Sequence, residues 1–380
     1  MKYRLTCLSP VLIGNGQKLS PVDYMVWRNQ VNVLDQRRIF RLLAKGPRLE
    51  GYLAQLRRAE KLDFGSWGGF AQNFADRRIP FDHPAAAAYW ERAKGESLQI
   101  PVFVSGPDGP YLPGSALKGA LRTGILFACW KDRMPARLEA LESERMTRRP
   151  GETIEQEALG SSGTSLMRIV RVSDSRAVPV SALRVYLLRV ASLQPRPGGQ
   201  LELVWKQAPR GTVESRRVEE STPWFAEMAA PGTVFEGEWR ENAYLNQPGV
   251  WEALGWKEPL ETTTILRAAN EYAARLLEVH RQYARVADLP LLLRNLDRIA
   301  AHLPSDGRRS CLLSIGWGSG LLAKSGFFET GAEVYRRVLS QSPLYARALH
   351  PGLPFPKTRR IIFHENQPAT LPGWALLELD

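Results

Sequence analysis

The sequence predicts a mixed α+β chain built as two related halves. Three observations lead there. Some segments alternate apolar and polar residues, as half-buried strands do, and others space their apolar residues by three and four, as helices do. In each half, a strand, a glycine-rich turn and a lysine-bearing helix follow one another. The expected boundaries are 1–215, with a helical insertion at about 36–99, and 216–380. The 380 residues are 44% apolar and 24% charged, which is ordinary globular usage. This excludes disorder, collagen or a coiled coil as the whole chain.

The elements follow in order. Tyr3, Leu5, Cys7, Val11 and Ile13 alternate, predicting a strand over 3–13 that ends in the turn Gly14-Asn15-Gly16. A hairpin turns at Arg28-Asn29 between strands 24–27 and 30–34. Two helices divided by Gly46-Pro47 occupy 36–62, and loops with an alanine run fill 63–99. A strand at 98–104 and a turn at 106–109 lead into a helix at 114–130. Charged, Gly/Ser-rich residues 131–165 read as a mobile loop. Strands are expected at 168–173 and 231–240. A long hairpin at 183–192 and 200–206, around 195–199, either reaches outwards or forms a sheet edge. Helices at 263–285 and 291–302 flank Pro290. A strand at 311–315 enters Gly316-Trp317-Gly318-Ser319-Gly320, with a helix after it, and strands at 361–363 and 374–379 close the chain.

The chain carries 51 Lys and Arg against 39 Asp and Glu, a formal charge of +12. Only 11 of the cations are Lys, and eight Arg-Arg pairs are scattered along the sequence. A G- and C-rich genome explains that ratio as well as polyanion binding does, although guanidinium groups suit phosphates. Cys7, Cys129 and Cys311 are isolated and form no metal or disulfide framework. The five histidines, His83, His280, His302, His350 and His364, lack metal-site spacing. Neither a membrane-length apolar run nor a signal peptide is evident, so a cytoplasmic protein is expected, with no cofactor.

Two motifs carry chemistry. In Pro113-Gly114-Ser115, Ser115 reads as a helix N-cap and Gly114 as a place for close backbone approach. Lys118 and Arg122 follow at i and i+4 on one face, beside Leu117 and Leu121 on a core-facing line. Together they suggest a phosphate grip at the helix start. Gly316 to Gly320, followed by Lys324, has the same logic. Its partial dinucleotide fingerprint lacks the second strand with a terminal acid. Ser115-x-x-Lys118 also opens a serine acyl-transfer pattern, but Ser173-Asp174-Ser175 and Lys357-Thr358-Arg359 both depart from it. Asp23 reads as a turn cap or as a general base of ribonuclease chemistry. Trp67, Trp317 and Trp374, beside glycines, suit either base stacking or the core.

These residues resemble a known family. Pro10-Val11-Leu12-Ile13-Gly14-Asn15-Gly16 and Lys18 to Tyr24 look like the start of RAMP superfamily proteins of CRISPR systems. Leu112 to Thr123, LPGSALKGALRT, is similar to their signature nearly letter for letter, and Ile315 to Gly320 with Lys324 resembles their late glycine-rich loop. Pro231 to Phe235, Pro356 to Arg359 and Pro372 to Trp374 are similar to the fifth-subunit family of type III-A Csm complexes. The resemblance implies a ferredoxin-like, RNA-recognition-type β-α-β-β-α-β domain with insertions and a second, related C-terminal half. It implies a non-catalytic subunit that caps the backbone filament near the guide RNA 3′ end and is needed for guide maturation. Implied partners are guide RNA (crRNA), target RNA, other Csm subunits, especially the backbone RAMP subunit, and a host nuclease that trims the guide. Target cutting would belong to the backbone paralogue through a loop Asp; a ribonuclease acting through Asp23 is the alternative. The RNA-binding residues implied are Gly14, Asn15, Gly16, Lys18, Gly114, Ser115, Lys118, Arg122, Gly316, Gly318, Gly320 and Lys324. Members often carry His where this chain has Leu12.

Overall fold

A computed structural model describes residues 1–58, 61–62, 74–143, 150–207 and 213–380. Trp67 and the Arg148-Arg149 pair lie outside them. The chain is mixed helix and sheet, as expected. Its first sheet has the order Ser310–Ser314, Trp374–Leu379, Lys2–Cys7, Val234–Glu241, Val170–Val172. Every neighbouring pair is antiparallel. The apolar alternation of the first strand works as predicted: Tyr3, Leu5 and Cys7 are buried, with Leu5 facing Phe235 on one side and Leu377 on the other. Regular pairing ends at Cys7, however. Residues 8–13 are irregular, and Val11 alone makes a bridge, to Ala229.

Two helices, Gly114–Trp130 and Thr262–Val286, pack together against this sheet. A glycine sets their approach: a Cβ on Gly124 would lie 2.7 Å from the Ala269 Cα. The second sheet is organised on Leu183–Pro195. Trp224–Ala229 and Leu201–Lys206 pair with successive parts of it, and Thr358–His364 pairs with it as well. The predicted hairpin is therefore the spine of a sheet, not a projecting arm or an edge. Strands from both sides of residue 215 share both sheets.

The hairpin Tyr24–Trp27/Gln30–Leu34 forms as predicted, with Arg28 and Asn29 at φ 51° and 56°. Helices Gln36–Leu43 and Leu49–Arg58 follow it. A third strand, Ala75–Pro80, is not evident from the sequence pattern; it pairs with Gln30–Leu34. The inserted unit thus begins before 36. Its Arg77 sends a bidentate pair of hydrogen bonds to the fully buried Glu227 of the second sheet, Nη2 to Oε2 at 2.9 Å. Residues 131–165 are not one loop. They contain helices Met134–Ser143 and Pro150–Leu159, and Leu138 and Leu141 join Phe327 and Val338 in a small separate core. The helix expected after the glycine-rich loop is a single turn, Leu322–Ser325.

Part of the arginine surplus is structural. Arg189 is buried, stacks on Tyr89 at 4.6 Å and donates to the Val218 and Ser221 carbonyls. The cysteines behave as core groups: Cys7 and Cys311 are buried and Cys129 is half-buried, and burial pushes the Cys7 thiol up to about 12.

Removing one partner of a buried ion pair leaves an uncompensated charge and costs about 3–5 kcal/mol. Arg77→Ala should therefore lower stability by that order in urea unfolding. Burial already raises the Glu227 carboxyl above the ordinary range, and Arg77 opposes the rise. Without Arg77 the folded-state value climbs further, so the native state favours the protonated form. The penalty grows as pH rises through that value and shrinks as pH falls. The Arg77→Ala deficit should be smaller at pH 5 than at pH 8. A deficit independent of pH would contradict this account.

Candidate nucleic-acid interface

Three segments far apart in sequence meet at one cleft of about 510 Å³. The first is the exposed loop after the opening strand. It leaves the core at Ile13, whose carbonyl accepts from Val104 N at 2.8 Å, and rejoins pairing at Lys18 opposite Pro101. Between them, Asn15 Oδ1 accepts the Gln17 amide at 3.0 Å and holds the turn. The second is the signature helix, whose Ala116, Gly119, Ala120 and Thr123 line the cleft. Their spacing is i, i+3, i+4, i+7, so one helix face presents only small side chains. The third is Ser314 to Trp317 and Ser319, with Ala323 and Lys324.

The glycine-rich loop is fastened to the first segment through its backbone. Trp317 N donates to the Leu12 carbonyl at 2.7 Å. Gly316 is at φ +86°, and a Cβ there would lie 2.4 Å from that same oxygen. Leu12 itself is fully buried, so the position contributes its carbonyl rather than a polar side chain. Lys18, Arg122 and Lys324 line the cleft, and among the described residues no carboxylate does. Arg122 also pairs with Glu155 at 2.9 Å. Arg360 sits over the Trp317 ring at 5.1 Å, a cation–π arrangement that leaves an aromatic and a guanidinium together near the rim.

The implied residues distribute as follows. Gly14, Gly16, Lys18, Arg122, Gly316 and Lys324 line this cleft, and Asn15 lies in the same loop. Ser115 and Lys118 line an adjoining recess, shared with Gly119 and Arg122. Lys118 has no ion-pair partner among the described residues; burial and then Arg171 lower its ammonium from the usual range. Gly318 and Gly320 border a different cleft. Gly114 and Ser115 do not act as the sequence suggests. The helix begins at Gly114, and Ser115 makes no capping bond. The Gly114 amide donates instead to Asp174 Oδ1 at 2.8 Å. A Cβ on Gly114 would lie 2.3 Å from the Val172 carbonyl. The approach that Gly114 permits is therefore that of its own strand, and a carboxylate already occupies the helix start.

Asp23 accepts from Ser20 N and Ser20 Oγ, both at 2.7 Å, the turn-cap arrangement, and does not line the cleft. Trp374 is buried in the core. Gln17, Gly119 and Ser319 also line the cleft and are not among the residues that sequence reasoning singles out. The i, i+3, i+4, i+7 run of small residues could have revealed Gly119.

Comparison with known proteins shows the family. The model of the RAMP superfamily matches residues 4–273, and the chain belongs to that superfamily. Among curated relatives, a Methanocaldococcus jannaschii protein named CRISPR system Cms protein Csm5 is 22% identical over 191 residues, 46% of this chain and 42% of that protein. The match thus spans less than half of that relative's length. A Mycobacterium tuberculosis protein of the same name is 25% identical over 266 residues, 62% of this chain and 68% of that one. Two solved structures share the fold across nearly the whole chain. One is a chain of a cryo-EM Csm–crRNA–target RNA ternary complex of a type III-A CRISPR-Cas system, with TM-score 0.70, 22% identity and full coverage of both chains. The other is crystalline T. onnurineus Csm5, with TM-score 0.62, 18% identity and 99% and 100% coverage.

Gly316→Ala should push the two loops apart, because strain at positive φ and overlap with the Leu12 carbonyl act together. The Trp317 amide should then exchange with deuterium faster than in the parent chain, and the melting temperature should fall. Unchanged protection at Trp317 would refute the fastening.

Proposed function

We propose that this chain is a non-catalytic RNA-binding subunit of a type III-A Csm effector, capping the backbone near the guide RNA 3′ end and needed for guide maturation. The observation that carries this is the convergence of the three motif segments on one cleft lined by Lys18, Arg122 and Lys324 and, among the described residues, by no carboxylate. Such a surface holds a phosphate chain without reading its bases. Sequence readout then falls to pairing between guide and target. The curated relatives named Csm5 and the fold shared with a chain of a Csm–crRNA–target RNA complex support guide RNA, target RNA and other Csm subunits, including the backbone RAMP subunit, as partners. A trimming nuclease from the host belongs to the same reading. Asp23 is engaged with Ser20 and stands apart from the cleft, which favours a scaffold over a ribonuclease.

The ferredoxin-like description has topological support. Lys2–Cys7, the helix Gly114–Trp130, Val170–Val172, Val234–Glu241, the helix Thr262–Val286 and Trp374–Leu379 follow a β-α-β-β-α-β course. Their strands lie in the spatial order fourth, first, third, second, with Ser310–Ser314 added outside the fourth. The second sheet is the candidate for the related second half. Among the described residues no helix is long and apolar enough to cross a membrane, and a cytoplasmic location fits this role.

Lys18→Ala and Lys324→Ala should weaken single-stranded RNA binding by similar factors whatever the sequence. Each should also reduce the salt dependence, the slope of log K against log salt falling by about 0.7 for each phosphate left without its cation. Fluorescence anisotropy over a salt series measures both. Unchanged slopes would place the RNA elsewhere. Asp23→Ala should leave guide and target processing intact in the assembled complex; loss of cleavage with retained binding would favour the ribonuclease reading.

A further inference from the structure

The glycine-rich loop borders a second cleft, of about 260 Å³, lined by His280, Thr358, Arg359, Arg360 and the backbone from Gly318 to Leu322; Ser319 lines both clefts. Its floor is a set of hydrogen-bond donors with too few acceptors. Arg359 is 8% exposed. Its Nε donates to His280 Nδ1 at 3.1 Å, and its Nη1 donates to the Pro356 and Thr358 carbonyls, both at 2.8 Å. Its Nη2 has no hydrogen-bond partner among the described residues, yet is not sealed from solvent. The Tyr283 ring, 4.6 Å from the guanidinium carbon, supports the plane of the group.

His280 is 3% exposed. Burial, with Arg359 beside it, holds the imidazole well below its ordinary range, so the ring is neutral. Because Nδ1 accepts from Arg359, the ring proton resides on Nε2, which also lacks an acceptor among the described residues. The amides of Gly318, Ser319 and Gly320 have no acceptor there either. Gly318 and Gly320 are at φ +87° and +90°, and successive free amides in such a loop form an anion-binding concavity. Among the described residues no carboxylate lines the cleft, and Lys206 at its edge is paired with Glu214 at 2.7 Å.

We propose that this cleft binds a phosphate group through Arg359 Nη2, His280 Nε2–H and the amides of Gly318 to Gly320. The proposal rests on the RNA-binding reading only for the source of the phosphate. A Cβ on Gly320 would meet nothing within 4 Å, so a phosphate can approach the backbone there. A free phosphate is the other source.

The test is titration of the full chain with inorganic phosphate, followed by ³¹P NMR. The wild type should bind saturably. Arg359→Lys should weaken binding at least about tenfold, the scale of losing a hydrogen bond to a charged group. Thr358→Glu keeps every buried donor and places a carboxylate in the cleft, so it should weaken binding equally even if Arg359→Lys fails to fold. No saturable binding by the wild type, or wild-type affinity in a folded Thr358→Glu chain, overturns the proposal. Displacement of bound phosphate by a short RNA identifies an RNA phosphate as the natural occupant; retention beside bound RNA identifies a free anion. Phosphate binding by a chain that binds no RNA would leave this site standing and remove the RNA-binding reading. RNA binding without phosphate binding would do the reverse.

Discussion

The structure depends on a seam of backbone hydrogen bonds joining the opening strand's exit to two late segments. Leu8 N and Ser9 N donate to the Trp374 carbonyl, and Trp374 N returns a bond to Ser9 Oγ. Gly373 N donates to the Pro10 carbonyl, Ile315 N to the Gly373 carbonyl and Trp317 N to the Leu12 carbonyl. No side chain could be inserted between these strands of backbone at Gly316 or Gly373, where a Cβ would lie 2.4 Å from a carbonyl oxygen. Because buried peptide groups must be paired, the seam fixes the two glycine-bearing loops against each other. Both clefts inherit their shape from it.

Electrostatics is layered on that frame. The formal charge of +12 overstates the free cationic surface. Arg189 serves the second sheet, Arg77 neutralises Glu227, and Arg122 is shared with Glu155. What distinguishes the clefts is less the number of cations than the absence, among the described residues, of carboxylates from their walls. Small residues on one helix face and glycines in the loops keep the walls of the first cleft low.

Local chemistry made much of this legible. The hairpin at Arg28-Asn29 followed from a turn residue that tolerates positive φ, and the long helices followed from their apolar stripes. The motif residues could be named from the chain alone, although not their division between two clefts and a recess. What escaped was set by distant partners. The strand Ala75–Pro80 reads ADRRIP, without alternation, and is held by pairing with Gln30–Leu34 and by Arg77's reach to Glu227. Helices within 131–165 have mostly polar surfaces, and the few apolar residues they bury meet Phe327 and Val338, nearly two hundred positions later. Ser115 has the composition of a cap, but Asp174, on the neighbouring strand's continuation, takes the bond. A pattern within ten residues carries no information about a partner sixty away.

The place of Trp374–Leu379 in the first sheet has a bearing on biosynthesis. This strand lies between Lys2–Cys7 and Ser310–Ser314, so the first sheet cannot close until residues 374–379 have been made. Until then the opening strand has an unpaired edge and Leu5 lacks its Leu377 neighbour. A chain made only as far as the glycine-rich loop therefore lacks the strand that joins Ser310–Ser314 to Lys2–Cys7.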